Sequence, residues 1–371
     1  MAGFEISLSP RIRMSPYFEA TVAAGVTAFT VYNHMYMPTS YGDLEAEYWQ
    51  LLKRVAVWDV AAQRQVEIEG TEATRLVELL SARDISTSPV GQARYAPVCD
   101  HEGRLLNDPV FLRVGENRWW MSIADGDMLA LCRALASERQ LDVRVEEPDV
   151  SPLAVQGPWA EGVVASLLGE WVPDLRPFQF RPVDLGRVPL WVGRAGWSKQ
   201  GGYELYLCDG TKGPELWERV VEAGARFDIA PGAPHQVERT EGGLLSFRTD
   251  TEGDTDPFEV GLGRWIDLDR PADFIGKEAL IEKRAMGAAR RLVGLKIGGE
   301  RLTPNTRPWP ALCRGEEVGR VRVALYSPRL QCNIGLALIR SRTAKPGGVL
   351  ELRTEDGQTR EAVVTEIPFI R

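Results

Sequence analysis

The sequence contains few of the residues that commonly bind metals or form disulfides. Among its 371 residues are three histidines and five cysteines, and no two cysteines form a CxxC pair. An odd number of scattered cysteines is typical of reduced thiols, not of a disulfide framework or a zinc site. Because the histidines are few and none has a paired spacing, we expect no metal centre.

Long hydrophobic runs and an excess of basic residues are also missing. The opening segment MAGFEISLSPRIRMSPYFEA lacks the continuous apolar core of a signal peptide, and no later stretch approaches the length of a membrane span. Lysine and arginine number 44 against 52 acidic residues, a net charge of −8. We therefore expect a cytoplasmic protein whose partners are small molecules, not nucleic acid or an anionic membrane.

Several common catalytic motifs are absent as well. The sequence has no GxxxxGK[ST] phosphate loop, no GxGxxG after a strand, no GxSxG elbow and no HExxH. Nucleotide hydrolysis, dinucleotide-dependent hydride transfer and serine-type hydrolysis therefore have no support.

The patterns that are present predict an α+β protein of two or three domains. Strands are predicted at Gln65–Ile68, 117–123, 141–145, 189–194 and 202–208. Helices are predicted at 43–54, 71–80, from Asp127 to about 138, 158–168, 213–225, 234–246 and 276–286. Thr71 is the expected N-cap of the second helix. This strand–helix rhythm favours ferredoxin-like sandwiches, and the short β-like runs of residues 290–371 favour a small barrel or sandwich.

The segment from Gly196 to Tyr206 is the most informative stretch of the chain. Side chains alternate across a strand, so Glu204 and Tyr206 share one face while Tyr203 and Leu205 share an apolar face. A carboxylate beside a phenol, with Trp197 just upstream, suits a flat nitrogen-rich ring or an organic cation. An edge strand with one solvated glutamate explains the pattern equally well.

Two other polar clusters have both a structural and a functional interpretation. The three-residue spacing of Glu238 and Glu241 places them on one helix face, and this favours a solvated face beside a close helix–helix contact at Gly242. Asn107 and Asp108, followed by proline, are typical of a turn, or of a polar group at the end of a buried hairpin.

Taken in order, these pieces resemble the tetrahydrofolate-dependent aminomethyltransferases, whose founding member is the T-protein of the glycine cleavage system. The resemblance rests on segments that span nearly the whole chain: Trp58–Val60, Gly103–Asp108, Val155–Pro158, Gly202–Glu204, Glu238–Leu244, Phe274–Leu280 and Asn333–Gly335. It implies a three-domain cloverleaf around a central hole that holds tetrahydrofolate, made of two ferredoxin-like sandwich domains and a C-terminal barrel-like domain.

The resemblance also implies domain boundaries, because the first two domains of this family are interleaved in sequence. Residues 1–52 with 149–252 would form the first, folate-binding domain. Residues 53–148 with 253–280 would form the second, and residues 281–371 the β-rich third domain.

Within the family, the chain is most similar to a demethylating branch. Thr30–Met35, Arg64–Ile68 and Trp119–Asp125 carry this likeness. That branch moves an S-methyl group from the sulfonium dimethylsulfoniopropionate to tetrahydrofolate, and the products are methylmercaptopropionate and 5-methyltetrahydrofolate. Another methyl donor on the same fold, such as a quaternary ammonium or an aryl methyl ether, remains an alternative.

The resemblance assigns roles to particular side chains. Four would bind tetrahydrofolate: Glu204, Tyr95, Glu241 and Asp108. Four would line the onium pocket: Trp197, Tyr206, Tyr32 and Trp171. Asn107 stands where aminomethyltransferases carry an aspartate, and a sulfonium needs no such acid because a neutral thioether already leaves well. The resemblance therefore implies direct displacement without a catalytic acid or base.

A non-enzymatic role is the remaining alternative. Some members of the superfamily bind folate and assist iron–sulfur assembly, and they carry a Lys-Gly-Cys signature. The run Phe274–Glu278 has no cysteine, so the sequence disfavours that role. The sequence is compatible with a homodimer.

Overall fold

A computed structural model of the chain describes residues 8–370. The helices are α1 (Phe18–Ala23), α2 (Leu44–Lys53), α3 (Ala73–Leu80), α4 (Met128–Glu138), α5 (Ala160–Leu168), α6 (Gly213–Gly224), α7 (Gln236–Glu241) and α8 (Lys277–Met286). The strands are β1 (Ala28–Tyr32), β2 (Met35–Ser40), β3 (Val55–Asp59), β4 (Gln65–Glu69), β5 (Ala93–Tyr95), β6 (Val98–Cys99), β7 (Leu105–Asn107), β8 (Val110–Gly115), β9 (Arg118–Ser122), β10 (Arg144–Glu146), β11 (Ser151–Gln156), β12 (Phe180–Leu185), β13 (Val188–Gly193), β14 (Gly202–Leu207), β15 (Ile229–Gly232), β16 (Arg290–Ile297), β17 (Trp309–Cys313), β18 (Glu316–Ser327), β19 (Cys332–Arg340), β20 (Val349–Arg353) and β21 (Thr359–Thr365).

The chain divides into two compact units. The first takes its described residues from Met1–Val66, Glu146–Gly196 and Gln200–Pro234. The second comprises Glu67–Val145, Trp197–Lys199 and His235–Arg371. The three-domain boundaries inferred from the sequence stay a prediction.

A six-stranded sheet forms the centre of the first unit. Its strand order is β12-β13-β14-β11-β3-β15, in which only the β15–β3 pair is parallel. Helices α5 and α6 cover the apolar face, and the core contains Val163, Leu216, Tyr203 and Leu205. The alternation predicted for β14 is therefore confirmed, and the strand lies inside the sheet.

The second unit contains a five-stranded sheet and a closed barrel. The sheet order is β10-β4-β9-β8-β5, and the barrel closes in the order β16-β19-β18-β17-β20-β21. The predicted C-terminal barrel is thus confirmed. None of the helices within residues 8–370 is long and apolar enough to cross a membrane.

Two local predictions for the helices were wrong. Thr71 does not cap α3, which starts at Ala73; its hydroxyl instead donates to Asp142 Oδ2 at 2.7 Å. The helix predicted at 234–246 ends at Glu241, because Gly243 adopts a φ of +64° that terminates the helical path. A Cβ on Gly243 would lie 3.2 Å from the Pro368 backbone, so both conformation and space require glycine there.

Asp59, in the sequence motif Trp58–Val60, is a buried carboxyl on β3. It is 2% exposed and accepts hydrogen bonds from Ser15 Oγ and from the Ala61 amide. Burial raises the pKa of Asp59 to about 6, although both hydrogen bonds oppose the shift. The folded state therefore holds this proton more tightly than the unfolded chain does.

We expect Asp59→Asn to stabilise the protein in a pH-dependent way. A raised carboxyl pKa lowers stability as the pH rises from about 4 through 6, because the folded state disfavours the charged form. The isosteric amide cannot ionise and so avoids this loss of stability. The free energy of unfolding of Asp59→Asn should therefore exceed that of the parent protein by an amount that grows over this pH range and reaches about 1–3 kcal/mol at pH 8. Thermal unfolding between pH 4 and 8 measures it, with the exposed Asp228→Asn as the control. A gain independent of pH would contradict the prediction.

Candidate functional site

Glu204 and Tyr206 form a hydrogen-bonded pair on β14. The Tyr206 hydroxyl donates to Glu204 Oε2 at 2.6 Å. Burial raises the pKa of the Glu204 carboxyl, and the bond from Tyr206 opposes that shift. The edge-strand interpretation of Glu204 is wrong, since β14 is flanked by β13 and β11 and the residue is half-buried. The pair offers a pre-oriented carboxylate in a largely dry setting, suited to accepting N–H bonds.

Two glycines next to this pair make room for Gln156. A Cβ on Gly202 would lie 2.2 Å from Gln156 Nε2, and one on Gly196 would lie 2.0 Å from the same atom. The buried amide donates to the Ala195 carbonyl at 3.2 Å. Glycine at both positions thus allows Gln156 to anchor the segment that leads into β14.

Trp197 lies in the second unit and is held through its ring nitrogen. Its indole Nε1 donates to the Leu245 carbonyl at 3.2 Å, and the Arg239 guanidinium lies 5.9 Å from its ring centroid. The residue is half-buried. Because the indole N–H is already bonded, ligand contacts at Trp197 would use the π face, which attracts cations.

A buried ion pair ties helix α7 to the loop that follows it. Arg239 Nη1 donates to Asp250 Oδ2 at 2.5 Å, and both side chains are fully buried. The Ser246 amide donates to the same oxygen at 2.8 Å. Arg239 Nη2 and Asp250 Oδ1 have no hydrogen-bond partner among the described residues. Sequence reasoning singled out Arg239 only as part of a family motif and missed Asp250.

Asp108 and Tyr95 form a second carboxylate–phenol pair. The Tyr95 hydroxyl donates to Asp108 Oδ2 at 2.9 Å. Burial raises the pKa of Asp108 to about 7; the bond from Tyr95 opposes the shift and the nearby Asp250 adds to it. Burial and Asp108 together raise the pKa of Tyr95. Asp108 therefore changes its charge close to neutral pH.

Asn107 anchors the neighbouring turn. Its side-chain amide donates to the Ala124 carbonyl at 3.1 Å and accepts from the Ala124 amide at 3.0 Å. The residue is fully buried at the end of β7. The hairpin interpretation of this segment is therefore correct, and the Asn107 side chain bonds to the backbone of Ala124.

The glutamates of α7 are buried, so the interpretation of a solvated helix face was wrong. Glu241 accepts from Ser327 Oγ and pairs with Arg329. Glu238 Oε1 accepts from the Lys199 amide at 2.8 Å. The close approach at Gly242 is made by the side chain of Lys199, which lies in a turn and not in a helix: a Cβ on Gly242 would lie 2.5 Å from Lys199 Cγ. Glu241 thus holds α7 against the barrel, and its role toward folate stays a prediction.

Trp171 and Tyr32, the remaining predicted residues, lie in the first unit. Trp171 donates to the Leu168 carbonyl at 2.8 Å, and the Arg181 guanidinium lies 4.2 Å from its ring centroid. Tyr32 packs against the core at the end of β1. An onium contact at Trp171 would need ring surface that Arg181 leaves uncovered, so both assignments stay predictions.

The chain belongs to the glycine cleavage T-protein family. The GCVT N-terminal domain matches residues 17–270, and the glycine cleavage T-protein C-terminal barrel domain matches residues 290–370. Both halves of the chain are therefore covered.

Individual members of the family differ in how similar they are to this chain. The chain is 42% identical to dimethylsulfoniopropionate demethylase DmdA of Ruegeria pomeroyi over 349 residues, which covers 94% of this chain and 95% of that protein. It is 29% identical to the aminomethyltransferase of Bacillus subtilis over 343 residues, covering 90% and 93%. The crystal structure of glycine cleavage system aminomethyltransferase T from Bartonella henselae has the same fold, with a TM-score of 0.85, 20% identity and coverage of 97% and 98%.

Proposed function

We propose that this protein is a tetrahydrofolate-dependent methyltransferase that demethylates dimethylsulfoniopropionate. The observation that carries the proposal is the 42% identity to the Ruegeria demethylase over 94% of the chain. The much lower identity to an aminomethyltransferase agrees with it. With small-molecule reactants and five free thiols, we also place the enzyme in the cytoplasm.

The proposed reaction is one displacement. The lone pair of tetrahydrofolate N5 forms the new N–CH₃ bond, and the S–CH₃ bond breaks with its electron pair moving to sulfur. The sulfonium becomes the neutral thioether methylmercaptopropionate, and the N5 proton passes to water. Because charge disappears at sulfur, a site that removes water and aligns N5 with the methyl carbon accelerates the step without an acid or base.

We assign the reactants to the paired groups. Glu204, oriented by the Tyr206 hydroxyl, would accept N–H bonds from the pterin ring. Asp108, oriented by Tyr95, is proposed as a folate contact in its own unit. Trp197 would contact the sulfonium with its ring face. Tyr206, Tyr32 and Trp171 are proposed as further onium contacts, and Glu241 as a further folate contact.

The donor profile of the purified protein tests the function. With tetrahydrofolate and dimethylsulfoniopropionate we expect equimolar 5-methyltetrahydrofolate and methylmercaptopropionate, and no product when either reactant is omitted. Glycine betaine and an aryl methyl ether serve as competing donors at the same concentration. Failure to methylate folate from the sulfonium, or faster transfer from either competitor, would overturn the proposal.

Tyr95→Phe should move the acid limb of the pH profile upward. We attribute this limb to protonation of Asp108, whose pKa is about 7. If folate binding requires the carboxylate form, activity falls as the pH drops through neutrality. Tyr95 stabilises the charged form, so its loss should raise the midpoint by about 0.5–1 pH unit. The measurement is kcat/KM for tetrahydrofolate from pH 5.5 to 9, which reports the free enzyme. Asp108→Asn should abolish the limb, and an unmoved midpoint in Tyr95→Phe would contradict the assignment.

A further inference from the structure

Arg248 has a strained backbone that its neighbours hold in place. Its φ is +64°, in the left-handed region that a bulky side chain rarely adopts. The Arg248 amide donates to Thr251 Oγ1 at 2.9 Å, and its carbonyl accepts from Arg322 Nη2 at 3.0 Å. Glycine would fit this conformation without strain. An arginine kept there is the kind of outlier that concentrates at functional sites.

The guanidinium of Arg248 is exposed and unneutralised. Within residues 8–370, no carboxylate forms an ion pair with it, although Arg239, Arg290 and Arg322 all pair with acidic side chains. Its guanidinium carbon lies 5.9 Å from the Phe247 ring centroid, which is a weak cation–π distance. The full positive charge is therefore available to a ligand.

The guanidinium lies beside the Asn107–Asp108 turn. A Cβ built on Gly126 would lie 3.9 Å from Arg248 Nη2 and 3.3 Å from Asn107 Nδ2, so both side chains border Gly126. The loop that carries Arg248 also accepts the Trp197 indole bond at Leu245. The same loop therefore contacts Trp197, the ring proposed to bind the sulfonium, and carries the Arg248 guanidinium.

We propose that Arg248 binds the carboxylate of the onium substrate. The inference rests on the proposed function, because dimethylsulfoniopropionate is a zwitterion whose two ends need opposite partners. A guanidinium donates two parallel N–H bonds to a carboxylate, and it does so best when no protein acid competes. Asn107 already bonds to Ala124, whereas the Arg248 guanidinium forms no ion pair within the described residues and can donate to a ligand. It would distinguish the zwitterion from a plain sulfonium.

The test compares two sulfoniums in Arg248→Gln. For dimethylsulfoniopropionate we expect KM to rise about 10- to 100-fold with kcat nearly unchanged. For ethyldimethylsulfonium, which lacks the carboxylate, and for tetrahydrofolate, KM should stay within about twofold of the parent protein. Arg248→Lys should recover part of the loss, because it keeps the charge without the bidentate fork.

A matched control separates strain from binding. Arg248→Gly relieves the left-handed φ, so it should unfold no earlier than the parent while showing the same rise in KM. Arg314→Gly relieves a similar φ of +52° in another exposed arginine and should leave KM unchanged.

The outcomes are separable. An active parent protein with unchanged KM in Arg248→Gln overturns this inference alone, as does an equal rise for both sulfoniums. A rise confined to tetrahydrofolate overturns it in favour of the folate glutamate carboxylates. A parent protein that transfers no methyl group from dimethylsulfoniopropionate overturns both the proposed function and this inference.

Discussion

Replacing Glu204 by alanine is expected to weaken tetrahydrofolate binding about 100-fold while dimethylsulfoniopropionate still binds. A half-buried carboxylate that accepts N–H bonds from a flat ring contributes roughly 1.5–3 kcal/mol to binding, and about 2.7 kcal/mol corresponds to 100-fold. The Tyr206 hydroxyl already fixes the carboxylate through Oε2, so little conformational freedom is lost when the ligand arrives. Isothermal calorimetry with each ligand alone measures both affinities.

Variants at neighbouring positions separate this role from misfolding. Tyr206→Phe keeps the ring and removes the hydroxyl, so it should weaken folate binding about 5- to 20-fold, and it should add nothing in the Glu204→Ala background. Glu161→Ala removes a half-exposed glutamate of the same unit that pairs with Arg194, and should change neither affinity more than twofold. Equal loss of both ligands in Glu204→Ala would contradict the assignment.

Patterns with a strict period predicted the elements most reliably. The period of two in Tyr203–Leu207 correctly separated the core face of β14 from the face that carries Glu204. The turn-separated β runs after residue 290 correctly predicted the closed barrel. In both cases the pattern reports burial directly, because a side chain on the wrong face would lose its apolar contacts.

Features that depend on distant neighbours could not be predicted in the same way. The spacing of Glu238 and Glu241 predicts a shared helix face, but burial of that face follows from partners far away in sequence, such as Ser327 and Arg329. The strain at Arg248 likewise depends on Arg322, more than 70 residues away. In the sequence, Arg248 and Asp250 are marked only as charged residues that follow the Gly242-Gly243 pair. Their roles became visible only from their contacts in the folded structure.

Replacing Trp197 by alanine is expected to raise KM for dimethylsulfoniopropionate about 10- to 50-fold and to leave tetrahydrofolate affinity unchanged. A desolvated onium over an indole face gains about 2 kcal/mol. The indole N–H is bonded to the Leu245 carbonyl, which fixes the ring plane before the substrate arrives. Trp197→Phe keeps a smaller π face and should give an intermediate KM.

The product, whose sulfur is uncharged, distinguishes a cation contact from a displaced loop. Methylmercaptopropionate keeps the carboxylate of the substrate but carries no charge on sulfur, so its inhibition constant should change less than about threefold in Trp197→Ala. Were the substitution to act by releasing the loop at Leu245, the carboxylate contact proposed for Arg248 would loosen too, and product and substrate would weaken together. Trp159→Ala, at an exposed tryptophan of the first unit, is the control and should change neither the KM for the substrate nor the inhibition constant of the product. Parallel loss of substrate and product would assign Trp197 to the loop, whereas selective loss of the sulfonium would assign it to the methyl donor.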